Sequence, residues 1–530
     1  MASRLKIPKI PEEERTPLVA TLLEIIEVLR EQLQEQRDEI ARLKGEKAKP
    51  VIKPSSLEKH SEDKKNLDPT GKRPGSAKRR KTEGLNIHRI ELLRSHNVPP
   101  GSRFKGYEYF AVQGLVFQIH NTLYGRERWV TPEGKTILAP LPDNVKRLGH
   151  FDAVMQCFIL SQYHVCHVTQ PLILEQLRQI GVDISAGQVN RIITEVKERF
   201  HWEKDEILRV GLEISPYINV DDTGARHQGK NGYCTHIGNE MFAWFESTGS
   251  KSRINFLELL RAGNHDYVLN STAFDYMNAQ KLPGAQRDLL LGCGTSIFED
   301  RAHWKAALES LNFTMERHIR IATEGALLGS IHQHRSVNPD IVILSDDAGQ
   351  FDVLRHALCW VHAERPINKL VGFNDAQRDA VAEVRTRIWG FYGDLKAYKQ
   401  TPEEENKAAL KKRFDQISTS LTCYATLNQA LKRIHQNKSE LLLVLDRPEI
   451  PLHNNASETD IREYTKRRKI SGSTRSDLGR RCRDTFTSHK KTCRKLGVGF
   501  WEYLIDRVSG KNSIPWLPDL MRQLLGESPG

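Results

Sequence analysis

The chain reads as a mixed α/β protein, and three features predict this. Three closely spaced runs, "YINVDD" (217–222), "YCTHIGN" (233–239) and "MFAWFES" (241–247), are rich in β-branched and aromatic residues, with turn signals at Gly229/Gly232 and Asn239/Glu240 between them. Much later comes "IVILSDD" (341–347), an apolar run ending in acid, and "HALCWVHAERP" (356–366) begins as another strand. Helical periodicity fills most of the chain between and after these runs. Consecutive antiparallel strands, a helix, then strands separated by helices build a mixed sheet.

At 530 residues the chain is too long for one ordinary core. Eight scattered cysteines without a C-x-x-C pair predict free thiols in a reducing compartment, and argue against a disulfide framework or a four-cysteine zinc site. No stretch approaches the roughly 18 consecutive apolar residues of a membrane span, and the start has no apolar leader region. A cytoplasmic location is therefore expected. Net charge is +12, and its placement is uneven. Between Arg462 and Lys495 thirteen Lys/Arg face three acids, a surplus of ten. Positive charge concentrated in this way faces a polyanion such as DNA, whose counterions it displaces, or forms a solvated basic helix.

Residues 1–44 are expected to hold a coiled-coil helix. Val19, Ile26, Leu33 and Ile40 recur at seven, with Leu22, Leu29, Gln36 and Leu43 at the complementary positions. That pattern favours a parallel two-stranded coil and hence a homo-oligomer. Residues 45–85 read as a basic, disordered linker with six cations between Lys72 and Lys81. Residues 86–145 alternate and turn at Gly and Pro, predicting a small β module. Residues 146–210 turn helical. Within them a helix, Gly181 at a turn, Ser185 as N-cap and a second helix predict either a helix-turn-helix or an ordinary helical hairpin. Gln188, Arg191 and Lys197 are expected to point outward from it. The sheet then comes in parts, 211–262 and 339–366, around a helical insertion at 263–338. A helical segment follows at 367–450, and 451–530 hold a late helix and the basic C-terminal region.

Three acidic spots stand out: Asp221/Asp222, Asp346/Asp347 and Glu458 in "PLHNNASETDIREYTKRRKISGS" (451–473). Acids ending apolar strands are costly unless solvated, hydrogen-bonded or bound to a cation. Each pair also fits a turn, and Asn455 with Glu458 has the spacing of a capping box. Taken together they suggest an oxygen-ligand site for Mg²⁺. Two such ions about 3.5–4 Å apart would activate a water or a 3′-hydroxyl for in-line displacement at a phosphodiester.

"VDDTG", "LSDDAGQF" followed by "ALCWVHAER", and "LHNNASETDIREYTKRRKISGS" resemble the motifs of bacterial insertion-sequence-66 (TnpC-type) transposases. The similarity runs from about Lys197 to Leu504, and its most specific part is the NN-x-x-E-x-x-x-R block with its trailing cations. The resemblance implies a ribonuclease-H-like core and a DDE transposase that cleaves and transfers DNA strands at the ends of an insertion element. It implies Asp221, Asp346 and Glu458 as catalytic, metal-holding residues, with Asp222 and Asp347 as the alternatives within each pair. The cofactor implied is Mg²⁺, with Mn²⁺ as substitute, as two ions. Arg462, Lys466, Arg468 and Lys469 would hold DNA, with Asn454 and Asn455 in support. The implied partners are element ends and target DNA, further copies of the chain and accessory proteins of the same element, with no membrane. Cys359 and His362 form a C-x-x-H expected to be a buried structural pair. A silent DNA-binding derivative, or a nuclease that cuts without joining, would carry much of the same sequence.

Overall fold

The strand-forming runs assemble into one six-stranded mixed sheet: β1 (Tyr217–His227), β2 (Lys230–Gly238), β3 (Ala243–Thr248), β4 (Val342–Ser345), β5 (Arg355–Leu358) and β6 (Ser473–Thr474). The computed structural model describes residues 86–526 except 95–97 and 117, together with Val19, Leu22 and Ile26, which are helical. Apart from those three positions, the heptad repeat and the basic linker lie outside the described residues. The chain divides into two compact units, Met1–Asn121 and Thr122–Gly530. In the first, the described residues from 86 to 121 form no helix or strand.

The sheet order is β3-β2-β1-β4-β5, with β6 paired to the far end of β1. β1, β2 and β3 are antiparallel neighbours, whereas β4 runs parallel to both β1 and β5. The β1–β2 link is a two-residue turn, Gln228–Gly229, with φ of 49° and 78°. Two positive φ values in succession are what a tight hairpin requires, and glycine supplies one without strain.

Six helices position the site: α1 (Glu198–Ile214), α2 (Trp360–Asn368), α3 (Ala425–Gln436), α4 (Lys438–Leu441), α5 (Asn455–Ser471) and α6 (Asp477–Lys495). Helix α6 solves the edge problem of β3. Alternate N–H groups of that strand donate to side chains spaced four apart on α6: Ala243 to Thr492 Oγ1 (3.2 Å), Phe245 to Ser488 Oγ (3.0 Å) and Ser247 to Asp484 Oδ2 (2.8 Å). Polar residues on a buried helix face thus satisfy donors that no further strand meets.

The main core joins Ile207 and Leu212 of α1, Val220 and Ile237 of the sheet, and side chains of the 263–338 segment such as Met277, Trp304 and Leu327. That segment is helical as expected, with a two-stranded ladder of Tyr267–Val268 and Ile297–Phe298, and it packs into the same core. Residues 367–450 instead gather most of a second core around Ile388, Phe391, Phe414 and Leu427. No helix among the described residues is long and apolar enough to cross a membrane.

Two expectations are corrected. Within 86–145, the strands observed are the hairpin Arg128–Val130 and Thr136–Leu138, closed by the turn-forming "TPEG". The alternating residues before it, among them Phe104, Phe110 and Leu115, are exposed and unpaired with any described strand. Lys197 does not point outward: it is buried, and its ammonium donates to Glu195 O at 2.6 Å. Gln188 closes a capping box with Ser185, which leaves Arg191 exposed on the second helix of the hairpin.

Candidate active site

The register of β1 on β4 brings the first two acids together. Asn219 lies opposite Leu344, and continuing that parallel register two places sets Asp221 level with Asp346. Side chains alternate along a strand, so Asn219 and Asp221 share one face while Asp222 takes the other. Asp222 accepts from Gln350 Nε2 at 2.8 Å. Asp347 is bound by the Arg433 guanidinium, Nε at 2.9 Å, and is half exposed. Asp347 is thus taken by Arg433, whereas Asp222 keeps one oxygen unpartnered and lines the same cavity as Asp221 and Asp346.

A lock between α5 and β1 fixes the start of the helix that carries Glu458. Asn219 Nδ2 donates to Asn454 Oδ1 and Asn454 Nδ2 donates to Val220 O, both at 2.8 Å. The Asn454 N–H donates to Cys359 Sγ at 3.2 Å. The capping-box reading is thereby overturned: Asn455 is the first helical residue, and the N-cap Asn454 makes no side-chain cap bond. Its amide is spent on the strand instead. Further along, Ser457 Oγ meets His236 Nδ1 at 2.7 Å, Tyr464 meets Ser247 at 2.6 Å, and Arg467 donates to Tyr163 O at 2.8 Å.

On the opposite face, Glu458 is approached by His362 Nε2 at 3.3 Å, Arg365 at 3.4 Å and Arg462 at 3.5 Å. His362 is the site residue that sequence reasoning misplaced. Cys359 is indeed buried, but its C-x-x-H partner turns to the acid cluster rather than into the core. The signal was available, because His362 and Arg365 are three apart on α2 and share a face.

Burial, together with the negative charges of Asp346, Asp222 and Glu458, pushes the Asp221 carboxyl up to about 7. Burial also raises Asp222, against the Gln350 bond that lowers it. His362 is pushed down, first by burial and then by Arg365. Asp346 lines two cavities, one of about 170 Å³ shared with Asp221, Lys251 and Gln350, the other of about 240 Å³ shared with His362, Arg433 and Asn437.

Clustered, partly desolvated carboxylates have the donor chemistry of a hard-cation site, and Asp222 Oδ1 is a buried oxygen without a hydrogen-bond partner. The three acids do not yet close one cage. Among the described residues, the group of three whose ligand atoms fall within 4.8 Å of one another lies elsewhere, at Asp352, His356 and Glu440. Glu458 is held instead by His362, Arg365 and Arg462.

The four cations expected to hold DNA separate into two kinds. Arg462, Lys466 and Lys469 are exposed and lie on the Glu458 side of α5. Arg468 is partly buried and donates to Thr223 Oγ1 at 3.2 Å and to Gly224 O. Of the wider basic run, Arg467, Arg483 and Lys491 are buried, while Lys490 and Lys495 pair with Glu463 and Asp460.

A mixed sheet that aligns acids on adjacent parallel strands, with a basic helix bearing a third acid, defines a protein of transposase type once its relatives are considered. Residues 346–481 match the model described as "Transposase IS66 family". A protein of Sinorhizobium fredii (strain NBRC 101917 / NGR234), named uncharacterized protein y4jO, is 45% identical over 304 residues, which is 57% of this chain and 94% of that protein. The chain belongs to the IS66 transposase family.

Proposed function

We propose that the chain is a DDE transposase that cleaves and transfers DNA strands at the ends of a bacterial insertion element, with Asp221, Asp346 and Glu458 as its catalytic, metal-holding acids. The observation that carries this reading is the meeting of three separate segments at one end of the sheet, where Asp346 and Glu458 both act on the charge of Asp221. The strand order, antiparallel through β3-β2-β1 and parallel through β1-β4-β5, supports a ribonuclease-H-like core. The carboxylate donor set supports Mg²⁺ or Mn²⁺, as two ions. Bound there, divalent cations supply activation of a water or 3′-hydroxyl and stabilisation of the leaving oxygen.

The remaining roles belong to the protein. Asn454 fixes the start of α5 against β1 and so sets where Glu458 begins. His362, Arg365 and Arg462 hold the Glu458 carboxylate in the present arrangement. Arg462, Lys466 and Lys469 grip backbone phosphates of the element end or target. Self-association through the heptads of 18–44 would bring two ends together, with accessory proteins of the element as further partners. Such a protein works in the cytoplasm, at the nucleoid.

The test incubates purified chain with DNA carrying the element ends and Mg²⁺ or Mn²⁺, wild type against Glu458→Gln. Wild type is expected to cleave and join, and the variant to bind with similar affinity but leave the DNA intact. Equal cleavage by the variant removes Glu458 from the chemistry. Binding without any metal-dependent cleavage by the wild type identifies a silent DNA-binding derivative, and cleavage without joined products a nuclease.

A further inference from the structure

Away from the acid cluster, three side chains from different parts of the chain converge beside the sheet. His356 lies on β5, Glu440 on α4 and Asp352 in the loop before β5. Each offers one ligand atom, all within 4.8 Å of one another; His356 is buried, Glu440 half-buried and Asp352 exposed.

Hydrogen-bond accounting around His356 is informative. The Ser345 hydroxyl donates to the Asp346 carbonyl, and its oxygen lies 2.7 Å from His356 Nε2. A hydroxyl has one proton to give. Where that proton is directed at Asp346, Ser345 accepts from His356 and Nε2 carries the imidazole N–H. Nδ1 then presents its lone pair 2.6 Å from Glu440 Oε1. In that tautomer the space between the two atoms takes a metal ion; in the other it holds the single Nδ1 proton, donated to Glu440. A proton needs Glu440 alone. A third donor held nearby, Asp352, is what a metal adds, and a ring nitrogen donating outward to a hydroxyl is how metal-bound histidines are oriented.

We propose that Asp352, His356 and Glu440 form a structural site for one borderline divalent ion of the Zn²⁺ or Mn²⁺ kind, clipping α4 to β5. One imidazole and two carboxylates suit such ions better than the all-oxygen acid cluster does. Bonds of about 2.0–2.2 Å set neighbouring ligands about 3 Å or a little more apart, so His356 and Glu440 part by a few tenths of an ångström to admit it. The nearest competitor for Asp352 is Arg253, at 3.7 Å, which already donates to Gly349 O and to the Tyr276 hydroxyl. The clip would join the separately cored 367–450 segment to the sheet, where His356 meets Ser345, the neighbour of Asp346. It does not depend on the transposase reading.

The test strips the full chain with chelator, adds ZnCl₂ or MnCl₂, and counts bound metal after desalting, with calorimetry for affinity. Wild type is compared with Asp352→Asn, His356→Gln, Glu440→Gln and, as control for the acid cluster, Glu458→Gln. Each of the first three is expected to lose one equivalent, or to bind it at least tenfold more weakly, while Glu458→Gln keeps it. Metal should also raise the melting temperature of wild type but not of those three. Asp352 is exposed, so its variant folds and decides the matter even where His356→Gln does not. Unchanged stoichiometry in Asp352→Asn, or a wild type that takes up no Zn²⁺ or Mn²⁺ at this site, overturns the proposal and leaves a His356–Glu440 hydrogen bond.

Discussion

Asn454 places both ends of its side-chain amide on β1, accepting from Asn219 and donating to Val220 O, while its backbone N–H donates to Cys359 Sγ. The residue is buried, so Asn454→Ala strands a carbonyl and an amide away from water. Unsatisfied buried polar groups cost about 1–3 kcal/mol each, and Asn454→Ala is expected to lower unfolding free energy by about 2–4 kcal/mol in urea titrations. It should also slow cleavage more than it weakens DNA binding, since the helix that aims Glu458 loses its anchor. A loss below about 0.5 kcal/mol would mean the lock does not bear on stability. This role was hidden in the sequence for a physical reason. Asn-x-x-Glu is a local capping signature, whereas the partners of Asn454 lie on a strand more than two hundred residues away, and no local pattern reports them. For His362 the shared face with Arg365 was legible, but not that α2 turns that face toward Glu458.

Helix α5 divides its residues by face. Glu458, Arg462, Lys466 and Lys469 recur at four, four and three, which keeps them within about 80° of arc on a helix of 3.6 residues per turn. Ser457, Asp460, Ile461, Tyr464 and Arg467 are buried on the other side. Replacing Arg462, Lys466 and Lys469 with Gln is therefore expected to reduce the log–log salt slope of DNA binding by up to about 2.7, at about 0.9 per lost phosphate contact, with folding intact. Arg468→Gln should instead lower stability, because that guanidinium ties α5 to Thr223 and Gly224. A salt slope unmoved by the triple change would send the DNA across another surface. At this scale the sheet strands were largely legible, because β-branched runs and turn residues are local. The cationic run was not. In α6 the cations share a helix with Asp484, Ser488 and Thr492, which serve the β3 edge, and a charge count cannot tell a buried Arg483 from an exposed Arg481.

Across the whole molecule, distant segments are joined by buried and half-buried ion pairs as well as by apolar packing. Arg507 binds Glu203 through two nitrogens, at 3.0 and 3.1 Å, tying the C-terminal helices to α1. Glu463 meets Lys490 at 2.6 Å and His167 at 2.7 Å, tying α5 to α6 and to the helical region before the sheet. That the chain has more than one core was legible from its length; which segments share a core was not, since 263–338 and 367–450 are both helical by sequence and only packing separates them. The pairs also make acid sensitivity a property of the whole fold. The His167 bond, against some burial and with help from Lys490, holds the Glu463 carboxyl well below its ordinary range. For Glu203, burial works the other way, yet the Arg507 bonds outweigh it and the carboxyl is still lowered. A carboxyl lowered on folding stabilises the folded chain at pH above its unfolded value, about 4.3 for Glu. That contribution drains away as pH falls toward the depressed folded value. Glu463→Gln is accordingly expected to cost roughly 1–2 kcal/mol at pH 7, with the gap to wild type narrowing steadily below about pH 4. Paired urea titrations at neutral and acid pH read this, and titrating groups not in contact with Glu463 cancel in the difference, leaving Glu463 together with His167 and Lys490. A gap that stays the same size at both pH values would mean Glu463 contributes through packing, with its charge contributing nothing to the assembly of α5 on α6.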